Sequence, residues 1–181
     1  MKTCYFTFGR FNPPTIGHEK LIRAVEKNAG SDDYLIYPSQ TFKQPKNPLP
    51  YDYKVEIMKK MFPWAKIETA ACCNTIIKVA QDMMMKDYSD IVMVVGSDRV
   101  GDFDKLLTKQ NKIDYTFNTI KVVSAGERDP DKDGATGMSA SKMREAAAQG
   151  KFTDFAKGIP STLTIQDKME LMTQVRKGMG L

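Results

Sequence analysis

The stretch TCYFTFGRFNPPTIGHEKLIRAVEKN, Thr3 to Asn28, changes period once, and that change decides the fold. Up to Phe8 it is a short run of β-branched and aromatic residues closed by Gly9, the pattern of a buried strand. From Gly17 onward Leu21, Ile22 and Val25 recur at helical spacing until Asn28 and Gly30 end the segment. A strand has passed through a proline-stiffened turn into a helix.

The same alternation continues along the chain. Tyr34 to Tyr37 reads as a second strand after the turn-like Ser31, Asp32 and Asp33, and Pro38 stops it. Residues 39–50, SQTFKQPKNPLP, have no period and predict an ordered surface loop suited to carrying function. Helices are expected at about 51–62 and 75–86, separated by a short extended piece near Ile67. DIVMVV, Asp90 to Val95, is an apolar run that a parallel sheet buries on both faces, and it ends in Gly96, Ser97 and Asp98. A helix near 100–109, a strand from Ile120 to Ser124 and a glycine- and aspartate-rich loop over 125–137 follow. Ser139 suits the N-cap of a helix from about Ala140 to Gln149, closed by Gly150. Two shorter helical patterns lie near 152–157 and 165–177. Strands alternating with helices through short loops imply an α/β fold: one doubly wound, Rossmann-like parallel sheet with a helical C-terminal tail. Residues 1–150 would carry the chemistry, and the helices of 151–181 would pack on the same domain.

Composition bounds what such a domain can do. At 181 residues the chain has the size of one domain, and burying roughly 70% of the unfolded surface needs no disulfide or metal staple. Lys plus Arg is 27 against 22 for Asp plus Glu, a formal charge of +5 spread along the chain. That excess suits a phosphate-bearing ligand as easily as a nucleic acid. The single histidine, His18, excludes an all-histidine zinc site and any chemistry that needs two imidazoles. Cys4, Cys72 and Cys73 have neither a framework pattern nor CxxC spacing, so they read as reduced, partly buried thiols. The first residues hold too short an apolar run for a secretory leader, and IVMVV at 91–95 is far below a membrane span. A cytoplasmic protein that does not enter membranes is expected.

Ligands of a doubly wound sheet bind beyond the carboxyl ends of the strands, and three segments there carry glycine and polar residues. The first, Gly9 to His18 (GRFNPPTIGH), offers a close backbone approach at Gly9 and places Thr15 and His18 near a helix N-terminus, which favours anions. It resembles the GxFxPxxxGH signature of the nucleotidylyltransferase superfamily, whose turn ends in (H/T)xGH; here those positions are Thr15, Ile16, Gly17 and His18. The second, Gly137 to Arg144 (GMSASKMR), is similar to that superfamily's (I/V)SSTxxR motif, with Met138 for the aliphatic residue, Ala140 for the middle serine, Ser141 for threonine and Arg144 matching. Either pattern alone is weak; the pair in this order is specific. The third, GSD at 96–98, resembles the GxD of nicotinamide mononucleotide adenylyltransferases, whose acid faces the ATP ribose. Ser39 to Met58 also looks like that subfamily's acceptor loop and helix, with Lys43 after Phe42 in the place of a lysine that contacts the acceptor, and Lys54 where arginine is usual. Thr75 and Arg128 fall where further acceptor contacts would lie. The resemblance spans about residues 3–150.

The resemblance implies a reaction. An ionised acceptor phosphate attacks the α-phosphorus of a nucleoside triphosphate in line and expels pyrophosphate, so no base is needed and catalysis rests on positioning and charge stabilisation. His18 is then expected at the α-phosphate, and Gly9, Arg10, Phe11 and Thr15 in supporting nucleotide contacts. Ser139, Ser141, Lys142 and Arg144 would face the β and γ phosphates, with Lys142 and Arg144 catalytic beside His18. Gly96 and Asp98 would hold the ribose, and Lys43, Thr75 and Arg128 the acceptor. Mg²⁺ would ride on the triphosphate, so no protein metal ligand is expected.

Blander readings stand beside these. Asp98 could cap the next helix, Arg10 and Lys43 could be solvated surface charges, and Met83, Met84, Met85, Trp64 and the other aromatics of 51–64 are most simply packing residues. Asp129, Asp131 and Asp133 alternate as in a calcium loop but lack its bidentate glutamate. Among functions, an adenylyltransferase joining ATP to nicotinamide mononucleotide in NAD biosynthesis leads. A cytidylyltransferase using CTP, or a pantetheine-phosphate or flavin adenylyltransferase, stays open. TIGH and SKMR are also similar to the HIGH and KMSKS elements of class I aminoacyl-tRNA synthetases, an RNA-binding alternative. The chain shows no dense basic patch interleaved with aromatics, so a nucleic-acid partner is not expected. A noncatalytic nucleotide-binding protein is a third reading, and homo-oligomerisation is open.

Overall fold

The computed structural model describes residues 1–126 and 138–181. Two compact units are assembled from alternating stretches of the chain: Met1–Gly9, Leu21–Ser39 and Lys66–Arg128 make the first, and Arg10–Lys20, Gln40–Ala65 and Asp129–Leu181 the second.

The first unit holds the sheet. Strands β1 (Thr3–Gly9), β2 (Asp33–Pro38), β3 (Asp90–Val95) and β4 (Thr119–Ser124) lie in the order β2-β1-β3-β4. All three pairings are parallel. The chain fills the β2 side of β1 first and then crosses to β3, so the switch point falls between the carboxyl ends of β1 and β3. Those ends are Gly9 and the Val95–Gly96 junction. Helices α3 (Ile76–Met85) and α4 (Val100–Gln110) cover one face, where Cys4, Phe6, Ile91, Met93 and Val95 pack with Val79, Met83 and Leu107. Strand alternation turns Thr3, Tyr5 and Val92 to the other face. There they line a cavity of about 420 Å³ with Asn28 at the end of helix α1 (Ile16–Ala29). Its lining includes the first residues of three strands, Thr3, Asp90 and Thr119. Every residue from Ile91 to Val95 is buried, as the unbroken apolar run requires.

The second unit is helical. Helix α2 (Tyr51–Met61), α5 (Ala140–Ala148), α6 (Phe152–Lys157) and α7 (Ile165–Gly178) belong to it, and α7 packs on α5 and α6 through Leu171, Met172 and Val175. Thr164 and Asp167 form a reciprocal capping box at the start of α7. Near its end, Arg176 donates from Nη1 to the carbonyls of Ala147 and Ala148 at 2.6 and 3.1 Å, adding a second donor to Ala147, which also accepts from the Gly150 N–H, and serving Ala148 in the last turn of α5. Gly178 admits no side chain: a Cβ there would stand 1.8 Å from the Pro48 carbonyl oxygen.

The elements lie within a residue or two of their expected limits, and three local expectations are corrected. Met85 is 78% exposed rather than packed, because it ends α3 on the side away from buried Met83. Asp98 caps no helix; Ser97–Arg99 form a 3₁₀ turn, and Arg99 stands at the N-cap of α4 without a side-chain bond. The 39–50 loop is not wholly at the surface, since Asn47, Pro48 and Leu49 are buried. Among the described residues no helix is long and apolar enough to cross a membrane.

Candidate active site

The loop leaving β1 is shaped by its own residues. Phe11 sits at φ +47°, an unfavourable backbone region for an aromatic residue, at a cost of about 1–2 kcal/mol. That bend buries its ring to 1% exposure and lays it against the His18 imidazole, with ring centroids 4.8 Å apart. The peptide bond from Asn12 to Pro13 is cis. Asn12 is also buried, and its amide makes two bonds to one residue: Nδ2 donates to the Leu49 carbonyl at 3.3 Å, and Oδ1 accepts from the Leu49 N–H at 2.9 Å. A side chain thereby copies a strand neighbour and ties the 40–50 loop to the 10–15 loop.

Thr15 opens α1. Its Oγ1 accepts from the N–H groups of Gly17 and His18 at 3.1 and 3.4 Å, and the Ile16 N–H donates to the Gly158 carbonyl at 2.9 Å. The Thr15 N–H in turn donates to His18 Nδ1 at 3.0 Å. An imidazole whose Nδ1 accepts carries its proton on Nε2 when neutral, so the main chain of the loop selects the Nε2–H tautomer.

Two cations grip carbonyls of this loop. Lys54, on α2, is 0% exposed and donates from Nζ to the Arg10 carbonyl at 2.7 Å. Burial pulls its ammonium down to about 8. Arg144, on α5, donates from Nη1 to the Asn12 carbonyl at 2.9 Å and from Nη2 to Ser141 Oγ at 3.1 Å. Burial, and then the nearby positive charge of Arg10, press the Arg144 pKa below its ordinary value.

The expected residues divide as follows. Phe11, Thr15, His18, Ser141 and Arg144 gather around the loop, with Arg10 exposed at its start. Ser139 caps α5 by accepting from the Lys142 N–H at 3.2 Å. Lys142 stands about 200° around α5 from Arg144 and lines a cavity of about 180 Å³ with Met138, Glu145 and Asp154. Lys43 is exposed at the start of a small hairpin, exchanging backbone bonds with Asn47 at 3.0 and 2.8 Å. In the sheet unit, Gly9 ends β1 and its carbonyl accepts from the Ser39 N–H at 2.7 Å. Gly96 leads into the 3₁₀ turn that carries exposed Asp98. Thr75 caps α3 by accepting from the Lys78 N–H at 3.3 Å. Arg128 lies outside the described residues, as do Gly137 and the aspartates of the 125–137 loop.

Sequence reasoning missed Asn12 and noticed Lys54 only as a departure from a pattern. A signal for Lys54 was present: it occupies the apolar stripe of α2 with Tyr51, Val55, Met58 and Met61, where a lysine is out of place unless something inside needs it.

Comparison with known proteins agrees with this picture. The sequence model of the cytidylyltransferase-like family matches residues 6–146. No curated protein matches the chain. Among solved structures, a Vibrio parahaemolyticus protein assigned as a nicotinate-nucleotide adenylyltransferase aligns with TM-score 0.60 and 18% identity, covering 95% of this chain and 99% of that one. The Plasmodium falciparum nicotinic acid mononucleotide adenylyltransferase complexed with APC gives 0.58 and 14%, covering 96% and 98%. A bifunctional NMN adenylyltransferase/ADP ribose pyrophosphatase from Francisella tularensis gives 0.61 and 16%, covering 99% of this chain and 53% of that one. At these identities the structural likeness speaks for the fold. Because the family match spans most of the sequence and takes in both loop motifs, the chain belongs to the cytidylyltransferase-like family and is a nucleotidyltransferase.

Proposed function

We propose that this nucleotidyltransferase is an adenylyltransferase that moves AMP from ATP to the phosphate of a mononucleotide, nicotinamide mononucleotide being the favoured acceptor, and releases pyrophosphate. The observation that carries the reading is the Arg144 contact with the Asn12 carbonyl at 2.9 Å, which joins the late serine-rich motif to the first loop. Three structural neighbours named as nicotinate- or nicotinamide-nucleotide adenylyltransferases support the acceptor class.

The acceptor phosphate is already ionised, so the site has to align it with the α-phosphorus and steady the charge that builds on the oxygens. His18, held by the Thr15 N–H, donates from Nε2 to an α-phosphate oxygen as that charge develops. Arg10 and Arg144 take the β and γ phosphates, whose negative charge their guanidinium groups offset. Ser139 caps α5 and Ser141 orients the Arg144 fork. Lys142 faces the cavity with Glu145 and Asp154, away from the phosphates that Arg144 takes, and has no part in this reading. Gly96 and Asp98 bind the ribose, with the carboxylate accepting from its two hydroxyls. Lys43 approaches the acceptor. Mg²⁺ would be carried by the triphosphate, where it would offset phosphate charge, and no residue of this chain is assigned to it.

The test is pyrophosphate release with ATP or CTP against nicotinamide mononucleotide, nicotinate mononucleotide, phosphopantetheine, flavin mononucleotide and small phosphorylated alcohols. Turnover with ATP and a pyridine mononucleotide is expected. Preference for CTP or another acceptor would overturn the substrate assignment, and RNA binding without turnover would overturn the enzymatic one.

A further inference from the structure

Outside the loop site, one cluster in the sheet unit has the chemistry of a metal centre. Cys72 and Cys73 lie in the turn that precedes α3, and Asp82 projects from α3 itself. Their sulfur and carboxylate oxygen atoms all fall within 4.8 Å of one another. We propose that Cys72, Cys73 and Asp82 bind a soft divalent cation of the Zn²⁺ class, with water or another oxygen donor completing the tetrahedron.

The distances suit such an ion. With Zn–S at about 2.3 Å and Zn–O near 2.1 Å, a tetrahedral site separates two sulfurs by about 3.8 Å and a sulfur from an oxygen by about 3.6 Å. Cys72 Sγ stands 3.8 Å from Asp82 Oδ1, so the carboxylate is already in place. The two Sγ atoms are 3.0 Å apart and on the same side, and must part by about 0.8 Å to admit the ion. Two thiols and a carboxylate are donors for a borderline-soft cation, not for magnesium.

The surroundings hold the third ligand. Asp82 Oδ2 accepts from the Tyr37 hydroxyl at 2.8 Å and from Lys86 Nζ at 2.7 Å, which leaves Oδ1 on the side of Cys72. Such outer donors orient a carboxylate toward a metal. Lys86 also pairs with Glu68 at 3.4 Å. A divalent ion with two thiolates and one carboxylate carries a net charge of −1, which the Lys86 ammonium offsets. The turn is anchored at both ends, by the Ile36–Ile67 bridge and by the Thr75 cap of α3. Cys73 is buried, while exposed Cys72 gives the ion a way in. Binding displaces two thiol protons to solvent, and no electron changes hands.

The test is Co²⁺ titration of reduced, chelator-stripped protein, read by thiolate-to-cobalt charge-transfer and visible d–d absorption. One equivalent should saturate both signals, and Zn²⁺ should abolish them. Cys72→Ser and Cys73→Ser should each lose the charge-transfer band, Asp82→Asn should weaken binding by about tenfold or more, and Cys4→Ser should change nothing. Absence of the band in the wild type, or its persistence in both Cys72→Ser and Cys73→Ser, overturns the site. A second measurement needs no variant: Zn²⁺ should slow alkylation of Cys72 at least about tenfold in peptide maps, and an unchanged rate refutes the proposal. Neither readout depends on nucleotide turnover.

Discussion

Replacing Lys54 by Met should leave stability near neutral pH almost unchanged while abolishing a pH dependence. Burial lowers this ammonium from 10.5 to about 8, which corresponds to about 3 kcal/mol of destabilisation while the group is charged. Met removes that cost and keeps much of the volume. It also removes the bond to the Arg10 carbonyl, a charge-assisted contact of about 1.5–3 kcal/mol. The two changes nearly cancel at pH 7. They cease to cancel as pH rises, because the folded chain releases this proton near pH 8 and the unfolded chain only near 10.5. In that window the unfolded state binds more protons, so wild-type stability rises with pH. By about pH 9.5 the wild type should gain about 2 kcal/mol on Lys54→Met. Urea titrations of both proteins at the two pH values, followed by the fluorescence of Trp64 in the same unit, measure this directly. Parallel pH dependences would refute the reasoning, and so would a loss well beyond 3 kcal/mol at pH 7.

Other outcomes test the site and its frame. His18→Ala should lower kcat by about 10² to 10³, the scale of one lost oxyanion donor, in the pyrophosphate assay; wild-type turnover would remove His18 from the chemistry. Asn12→Ala breaks both bonds to Leu49 and should cost about tenfold in kcat/KM, with the larger share in the acceptor KM. Gly178→Ala forces a methyl against the Pro48 carbonyl and should destabilise the helical unit by about 1–3 kcal/mol in urea.

What the sequence revealed followed periodicity and short motifs. DIVMVV read as a fully buried strand because a parallel sheet covers both of its faces, and Ser139 and Gly150 bounded α5 because capping is local chemistry. The loop motif directed attention to Thr15 and His18 but gave no hint that Thr15 spends its hydroxyl oxygen on the first turn of α1 and its N–H on the imidazole. Asn12 escaped because it grips main chain far away in sequence, and a carbonyl or N–H leaves no letter in the partner's identity; Lys54 showed in the apolar stripe of α2, but its partner, the Arg10 carbonyl, did not. The helix register that turns Lys142 from Arg144 could have been counted from their two-residue spacing. The Cys72–Cys73 pair lacked the spacing of a zinc motif, and its third donor, Asp82, is joined to it only by the turn into α3.

The Asn12 hook has a consequence for how this protein can vary. It reads the N–H and carbonyl of residue 49 and is indifferent to what that residue's side chain recognises. Proline alone, with no N–H to give, is barred from the grip itself. The exposed tip of the hairpin, Lys43 to Lys46, can therefore change while the loop beside His18 keeps its shape. The conformation of the two loops is thus coupled through two hydrogen bonds to main chain, which the side chain of residue 49 does not enter.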